Sequence, residues 1–489
     1  MNRKMVFYTL SKITGITSLL MLLPTAVCAL YSEWQDALAF LAAIIISLVF
    51  SGILFVVSKP KDETIYAKEG FVIVSLAWLA ISVLGALPFV FSRTIPSFTD
   101  AFFETVSGFT TTGSSILPGN VLDNLVANHH GILFWRSFTH WIGGMGVLVF
   151  VMAIVSTLSD RSIHIMRAEM PGPIVGKLVP RAKDTSKILY IIYIVMTLAE
   201  IILLVCGDMP LFDSVIHAFG TAGTGGFSIR STGLAEYSAY SQWVIAIFMA
   251  LFGINFNLYY LIILRRFRSI FKSGELWTYL VIIGISTTLI TVNIYNTSLF
   301  STVSETIRTA FFQVSSIITT TGFSTADFNQ WPGLSKTILL VLMFIGGCAG
   351  STAGGLKVGR LVILAKRVRK ELHQLIHPRS VSVTQFEGKP LDEKTSNTAT
   401  VYLAIYMAIL LLVFLLLSFE PFDIETNLSA AVSCFNNIGP GLSLVGPASS
   451  YSLYSAFSKW ILSFSMLLGR LEIFPLVLAF SPSTWSRNK

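Results

Sequence analysis

Four short polar segments, each containing a glycine, are the residues of this sequence best suited to chemistry. They align without a gap as DAFFETVSGFTTTGSS from Asp100, DSVIHAFGTAGTGGFS from Asp213, TAFFQVSSIITTTGFS from Thr309 and TNLSAAVSCFNNIGPG from Thr426. In this register one glycine of each segment occupies the same column: Gly113, Gly226, Gly322 and Gly439. The polar residues before each glycine can present successive backbone carbonyls in place of an ion's water shell, so no titratable side chain is needed.

Each polar segment follows an apolar run that is too short to cross a membrane. Acidic and hydroxyl residues, which favour a helix N-terminus, stand near the start of each run: Thr99 and Asp100, Asp213 and Ser214, Ser304 and Glu305, Asp423 and Glu425. A helix of about 10 to 13 residues is roughly 15 Å long, half the hydrocarbon thickness. Non-helical backbone at that depth is tolerated only where it lines a cavity. Four such helices would direct the negative ends of their dipoles toward one axis and favour a cation there.

The composition places these segments in a polytopic membrane protein. The chain has 489 residues, of which 53% are hydrophobic and 12% charged, and its mean hydropathy is +0.72. This excludes a cytosolic enzyme and a secreted disulfide scaffold, because soluble proteins carry about 25% charged residues. The four cysteines stand singly, which excludes a thiolate metal site. Ten apolar stretches are candidate spans: 10–30, 37–57, 70–92, 132–157, 188–206, 242–264, 277–295, 336–350, 400–418 and 456–480.

The distribution of positive charge predicts the topology. With ten spans, most of the 34 Lys and Arg residues fall on the side of the two termini, so both termini are expected in the cytoplasm. The net charge of +8 is mainly this topology signal and gives no reason to expect nucleic acid. Residues 1–30 resemble a signal peptide, yet we expect them to form the first membrane helix. A membrane enzyme would need clustered His, Asp or Glu at membrane depth, and the sequence has no such cluster.

Taken together, these residues resemble the Trk/Ktr/HKT superfamily of potassium transporters, specifically its bacterial TrkH/TrkG type. The resemblance covers essentially the whole chain and is carried by FTTTGSS, TGGFS, TTTGFSTADFNQWP, NNIGPGLS, GGCAGSTAGGLKVG and GRLEIFP. It implies an all-α, potassium-channel-like fold of ten transmembrane helices and four re-entrant pore half-helices in four pseudo-symmetric helix/pore-loop/helix repeats. The implied divisions are two N-terminal helices at 1–68 and repeats at 69–165, 166–274, 275–394 and 395–489.

The resemblance also implies which residues form a selectivity filter. The second loop departs from the threonine pattern of the family, since Gly223 and Gly225 flank Thr224. Among plant relatives a serine at the first glycine accompanies sodium preference, and the glycine here implies potassium. The implied filter residues are Thr110, Thr111, Thr112, Gly113, Thr224, Gly225, Gly226, Thr319, Thr320, Thr321, Gly322, Asn436, Asn437, Ile438 and Gly439.

Two further features are implied to control flow below the filter. Six glycines between positions 346 and 359 predict a helix break, because each glycine costs a helix about 1 kcal/mol relative to alanine. In the family this segment is an intramembrane gate, and an arginine that matches Arg470 projects into the pathway. Once the other Lys and Arg residues are assigned to the two sides of the membrane, Arg470 is the one that remains inside a span. The candidate gate residues are Gly346, Gly347, Gly350, Ser351, Thr352, Gly354, Gly355, Lys357 and Arg470.

Several residues have simpler alternatives. Gly346, Gly350 and Gly354 have the GxxxG spacing of a helix-packing face. Arg470 could have a purely structural role. GSTAGGLK has Leu356 at the position where a phosphate loop requires lysine. His373 and His377 have metal-ligand spacing but are expected to be solvated. Asn255, Asn257, Tyr259 and Tyr260 could line the pathway or bond between helices. Glu200 could couple protons, but we favour an interfacial or paired carboxylate.

The predicted function is potassium uptake across a bacterial cytoplasmic membrane, driven by the membrane potential. The alternatives are a proton- or sodium-coupled potassium symporter and a poorly selective monovalent cation channel. The resemblance implies a homodimer, potassium as substrate with rubidium as a candidate second ion, and a cytosolic TrkA-type nucleotide-binding regulatory subunit. The chain has no nucleotide fold of its own, and no cofactor is expected. The basic segments 161–187, 265–272 and 357–394 are the predicted docking surface.

Overall fold

The fold is almost entirely helical. A computed structural model describes residues 1–60, 66–146, 182–297, 299–379, 385–387, 389–391 and 393–485. The helices are α1 Arg3–Leu20, α2 Leu22–Leu30, α3 Trp34–Val57, α4 Ala67–Phe91, α5 Phe98–Phe109, α6 Gly119–Asn128, α7 His130–Gly144, α8 Ala182–Cys206, α9 Leu211–Gly223, α10 Ala239–Phe252, α11 Phe256–Ile263, α12 Phe267–Phe271, α13 Gly274–Tyr295, α14 Val303–Ile318, α15 Gly333–Ile345, α16 Val358–Ile376, α17 Glu393–Leu417, α18 Ile424–Phe435, α19 Ala456–Arg470, α20 Phe474–Phe480 and α21 Pro482–Trp485.

Each of the ten predicted spans coincides with one of these helices or helix pairs. Six are long apolar helices that could cross a membrane: α1 with α2, α3, α4, α8, α13 and α17. Two more are bent pairs, α10 with α11 and α19 with α20. The remaining two are α15, which ends at Ile345, and α7, beyond which part of the predicted span 132–157 lies outside the described residues.

The bends correct the prediction of continuous spans at 242–264 and 456–480. The axes of α10 and α11 differ by 92°, and those of α19 and α20 differ by 118°. At the second bend Glu472 and Ile473 have left-handed backbone angles, with φ of 53° and 69°. Hydropathy reports only how apolar a segment is, so two short helices at an angle look like one span.

The four predicted half-helices are α5, α9, α14 and α18, and they form the centre of the molecule. Their lengths are 12, 13, 16 and 12 residues, and their C-terminal halves are buried even at polar positions. The acidic residues lie in the first turns as expected. The hydroxyl caps of α5 and α14 are Ser97 and Thr302, two residues before the predicted Thr99 and Ser304. By contrast α3, an outer helix, exposes large apolar side chains such as Ile45 and Val56, as a lipid-facing helix does.

The two ends of the described chain meet on one side of the molecule. The Arg3 guanidinium lies 5.8 Å from the ring centre of Trp485, and the Asn2 amide donates to Glu69 at the start of α4. A short antiparallel hairpin, β1 Gln385–Phe386 with β2 Lys389–Pro390, lies between α16 and α17. Two chain ends on one side agree with an even number of membrane crossings.

On the opposite side, two histidine–carboxylate pairs join the N-terminal helices to α7. His129 Nδ1 lies 2.6 Å from Asp36 Oδ2, and His130 Nδ1 lies 2.8 Å from Glu33 Oε1. The hydrogen bond to Asp36 raises the pKa of His129 above its usual 6.5, against an opposing effect of burial, and the charge of Glu33 acts in the same direction as Asp36. The His129–Asp36 pair therefore links protonation of His129 to the attachment of α3.

Asp36→Asn is therefore expected to lower thermal stability in a pH-dependent way. The folded-state pKa of His129 is raised, so its stabilising contribution is complete below about pH 6.5 and is lost as the pH rises through the folded-state pKa. We expect the variant to melt roughly 1–3 °C below wild type near pH 6 and closer to it near pH 9. Thermal unfolding of the purified protein at both pH values measures this. Asp123→Asn is the control, because Asp123 bonds Ser231 rather than a histidine. Equal losses at both pH values would contradict the prediction.

Candidate ion pathway

The four half-helices end in the same backbone conformation. At the second residue before each column glycine, a non-glycine residue has a positive φ between 54° and 58°. The amide of the next residue bonds the carbonyl five positions back, which is the long bond of a Schellman C-cap. These bonds are Thr112 to Ser107, Gly225 to Gly220, Thr321 to Ser316 and Ile438 to Ser433. The second loop, which departs from the threonine pattern, thus has the same conformation as the others.

The four column glycines, Gly113, Gly226, Gly322 and Gly439, close the loops into a ring. Each has a φ between 72° and 107°, and each faces a carbonyl oxygen of the next loop around the ring. A Cβ on Gly113 would lie 2.0 Å from the Gly225 oxygen, on Gly226 1.9 Å from Thr321, on Gly322 2.0 Å from Ile438, and on Gly439 2.8 Å from Thr112. Only glycine fits a backbone approach this close. The structure therefore brings the predicted filter residues of all four loops together.

Three of the loops are held by side chains at the third position before the glycine. The Thr110 hydroxyl donates to the Val106 carbonyl and lies 2.8 Å from the Thr112 hydroxyl. In the same way, the Thr319 hydroxyl donates to the Ser315 carbonyl and lies 2.8 Å from the Thr321 hydroxyl. In the fourth loop, Asn436 bonds Val432 and accepts from Tyr406. These bonds satisfy the side chains of Thr110, Thr319 and Asn436, so the side chains do not compete with the backbone carbonyl oxygens that face the ring.

The second loop has no such side chain, because the equivalent residue is Gly223. It is packed instead against His140 of α7, whose ring would lie 2.3 Å from a Cβ on Gly225. His140 is fully buried and stacks on Phe227, and within the described residues neither of its ring nitrogens has a hydrogen-bond partner. No local sequence pattern marks His140, because its position beside this loop depends on how the helices pack.

A cavity lies on the side of the ring that is formed by the residues directly after the four column glycines. Its lining includes all four column glycines and the polar residues that follow them, among them Ser114, Ser228 and Ser324. Arg136 and Arg230 also contribute to its wall. An ion in this cavity would reach the ring directly, so the cavity is a candidate entrance.

The glycine-rich segment lies on the other side of the ring. Residues 346–357 leave the helical path between α15 and α16, and positive φ angles occur at Gly346, Gly350 and Gly355. The helix break is confirmed, and the interpretation of Gly346, Gly350 and Gly354 as a helix-packing face is wrong because this segment is not helical.

The segment contacts the filter loops and is anchored by its neighbours. The Gly354 amide donates to Thr320 Oγ1 at 2.6 Å, and a Cβ on Gly354 would lie 2.4 Å from the Asn436 oxygen. Other candidate gate residues also have hydrogen-bond partners. The Gly347 carbonyl accepts from the Val358 amide, and the Ser351 hydroxyl donates to the Cys348 carbonyl. The Thr352 hydroxyl donates to the Phe252 carbonyl, and Lys357 donates to the Ala353 carbonyl. The loop therefore lies directly against the ring, on the side opposite the cavity.

The bend between α10 and α11 supports this loop. Cys348 donates to the Gly253 carbonyl at 2.9 Å, and Phe256 donates to the Gly350 carbonyl at 3.0 Å. Asn255 caps α11 and lies beside Gly350, whereas Tyr259 bonds Leu251. Asn255 therefore belongs to the loop's support, a role that the sequence left open.

Glu275 near the start of α13 is a support that the sequence analysis missed. It accepts a hydrogen bond of 2.7 Å from the Ala349 amide, and the hairpin residue Glu387 in turn accepts from the Glu275 amide. The only available signal was a carboxylate at the edge of an apolar span.

Arg470, at the C-terminus of α19, connects the loop to the first repeat. Its guanidinium donates to the Thr352 carbonyl at 2.9 Å, to the Gly144 carbonyl at 2.7 Å and to Thr111 Oγ1 at 3.3 Å. The side chain is 8% exposed. It thus lies below the ring, as the resemblance implied, and it also bridges parts of three repeats.

The remaining candidates are Glu200 and two histidines. Glu200 is fully buried in α8 beside Thr221 of α9, rather than exposed at an interface, and it forms no ion pair with any residue that the structure describes. His373 on α16 and His377, which directly follows this helix, are exposed, and their ring centres are 4.8 Å apart. No group of three or more metal-ligating side chains occurs in the part of the chain that the structure describes.

Comparison with known proteins agrees with this architecture. Residues 37–488 match the TrkH family of cation transport proteins. The Trk system potassium uptake protein TrkH of Salmonella typhimurium is 35% identical over 98% of this chain and 100% of its own length. TrkG of Escherichia coli is 31% identical over 95% of each chain. The crystal structure of the potassium transporter TrkH from Vibrio parahaemolyticus has a TM-score of 0.88 and 29% identity over 99% of this chain and 100% of that one. The chain therefore belongs to the TrkH family of cation transport proteins, a family of transporters rather than of enzymes.

Proposed function

We propose that this protein carries potassium into a bacterial cell through the ring of four loops. The observation that carries the proposal is the closed ring itself, in which each loop places a backbone oxygen against the glycine of its neighbour. Carbonyl oxygens replace the hydration shell of an ion, and the C-termini of four half-helices add negative potential. The relatives named above are potassium uptake proteins, which supports potassium as the ion. The membrane potential supplies about 2.3 kcal/mol per charge per 100 mV.

The glycine-rich loop and Arg470 would restrict flow after the ring. The loop contacts Thr320 and Asn436, and Arg470 holds the loop at Thr352. Passage would then require the loop to move, and the positive charge of Arg470 would oppose a cation nearby.

The orientation and the partners extend the same proposal. The positive-inside rule places both termini in the cytoplasm. The C-terminal half of α16 exposes basic residues such as Lys366 and Arg369 on the side where the termini would lie, which would suit a soluble TrkA-type regulatory subunit. We further propose a homodimer. Of the predicted docking surface, residues 161–181 lie outside the described residues.

Ion flux into liposomes that contain the purified protein tests the proposal. We expect an imposed potential to drive potassium and rubidium uptake, with sodium uptake at least about tenfold slower, at equal proton concentration on both sides. Equal rates for all three ions would favour the poorly selective channel. Uptake that requires a proton or sodium gradient would favour a coupled symporter, and the buried carboxyl of Glu200 would be the first group to replace. Protein-free liposomes are the control.

A further inference from the structure

A buried ion pair lies beside the ring, between the first and second filter loops. Arg136 of α7 and Glu104 of α5 are joined by a bond of 2.6 Å between Nε and Oε1, and their side chains are 3% and 0% exposed. A buried ion pair is weak evidence for stability, because desolvation offsets much of the attraction. The pair therefore calls for a role other than simple stabilisation.

Glu104 holds the segment that leaves the first filter loop. Its Oε2 accepts from the Ile116 amide at 2.7 Å, and its Oε1 also accepts from Ser115 Oγ at 3.0 Å. Ser115 and Ile116 follow Gly113 by two and three residues. The carboxylate therefore fixes the chain just beyond the first column glycine.

Arg136 holds the segment that leaves the second filter loop. Its Nη1 donates to the Ser228 carbonyl at 2.8 Å, and its guanidinium carbon lies 3.6 Å from the ring centre of Phe227. Phe227 and Ser228 directly follow Gly226. The guanidinium thus provides the second loop with an external support, and this loop has no threonine pair like Thr110 with Thr112.

The described residues of the other three repeats form no equivalent ion pair. In the gap-free register, the column of Glu104 contains His217, Gln313 and Ala430. His217 Nε2 and both amide atoms of Gln313 have no hydrogen-bond partner within the described residues, whereas both oxygens of Glu104 are bonded. The ion pair therefore occurs where the loop lacking internal side-chain bonds meets its neighbour.

We propose that Arg136 and Glu104 form a positioning pair that sets the spacing between the first and second filter loops, and thereby the discrimination between potassium and sodium. This inference rests on the proposed function, because it assigns a residue pair to the selectivity of the same ring. Each residue acts through a loop, and neither needs to touch the ion. A Cβ built on Gly113 would lie only 2.0 Å from the Gly225 oxygen, so these two loops have little room to move toward each other.

The test compares potassium and sodium fluxes of the full-length protein in liposomes for wild type, Glu104→Gln and Arg136→Gln. We expect the flux ratio to fall about tenfold in both variants, equivalent to about 1.4 kcal/mol of discrimination. The double variant restores electrical neutrality without the bonds, so its ratio should stay low. Asp100→Asn is the matched control. Asp100 lies in the same half-helix as Glu104, but in its first turn, away from the filter loops, where it forms a 2.7 Å ion pair with Lys459 of α19.

The outcomes separate this inference from the proposed function. A wild-type protein without selective potassium flux would overturn the proposed function. A selective wild type whose ratio is unchanged in both folded single variants would overturn only the positioning pair, as would a double variant that regains the wild-type ratio. If the single variants do not fold, Ser115→Ala decides, because it removes one bond to Glu104 and keeps both charges. Its ratio should then fall by about two- to threefold, and an unchanged ratio would overturn the inference.

Discussion

Replacing Gly113 by serine is expected to lower the discrimination between potassium and sodium by at least about tenfold, or about 1.4 kcal/mol. Two physical effects act together at this position. The φ of 82° is strained for any residue with a Cβ, and that Cβ would lie 2.0 Å from the Gly225 oxygen. The backbone of one loop must therefore move, and the spacing of carbonyl oxygens that replaces the potassium hydration shell changes with it.

The structure also ranks the four glycines. A Cβ on Gly226 or Gly322 would come as close to a neighbouring oxygen as one on Gly113, whereas on Gly439 it would lie 2.8 Å from the Thr112 oxygen. Gly439→Ser should therefore cause the smallest loss of discrimination in the series. The ratio of potassium to sodium flux into liposomes measures all four variants.

Gly284→Ser is the matched control for this series. A Cβ on Gly284, within α13, would have no heavy atom within 4 Å, so the substitution adds a serine without moving a neighbour. Its flux ratio should equal that of wild type. An unchanged ratio in Gly113→Ser would show that the register of the filter is wrong.

The sequence was sufficient to predict the half-helices and the shared glycine column. Both depend on local patterns, namely short apolar runs with acidic starts and a gap-free register of four segments. The positive φ at Thr111, Thr224, Thr320 and Asn437 could not be predicted, because nothing local marks a threonine as left-handed. That conformation is stabilised by the C-cap bonds and by the next loop around the ring, which are visible only in three dimensions.

The gate region shows the same division between local and distant information. Six glycines were enough to predict that the helix would break between positions 346 and 359, although the predicted span continued to 350 and the helix ends at Ile345. The supports of the broken segment come from distant parts of the chain: the Gly253 carbonyl, Asn255 and Glu275. The complete burial of Glu200 was not predicted for a related reason, because burial in α8 depends on the helices that surround it.

Arg470→Gln is expected to raise potassium flux at least about tenfold, equivalent to lowering a barrier by about 1.4 kcal/mol. Like unit charges 4 Å apart repel by about 4 kcal/mol at an effective dielectric constant near 20, so a guanidinium below the ring opposes a passing cation. The same substitution also removes the bond to the Thr352 carbonyl that holds the glycine-rich loop in place.

Arg470→Lys separates these two effects of the arginine. Lysine keeps the charge, but its single ammonium cannot reproduce the guanidinium bonds to Thr352, Gly144 and Thr111 together. If charge alone limits flux, the lysine variant should resemble wild type while the glutamine variant conducts faster. If the bonds hold the loop closed, both variants should conduct faster, and we expect this second result because the guanidinium bridges the loop to the first repeat. Potassium flux into liposomes at a fixed potential distinguishes them, and wild-type flux in Arg470→Gln would exclude Arg470 from the gate.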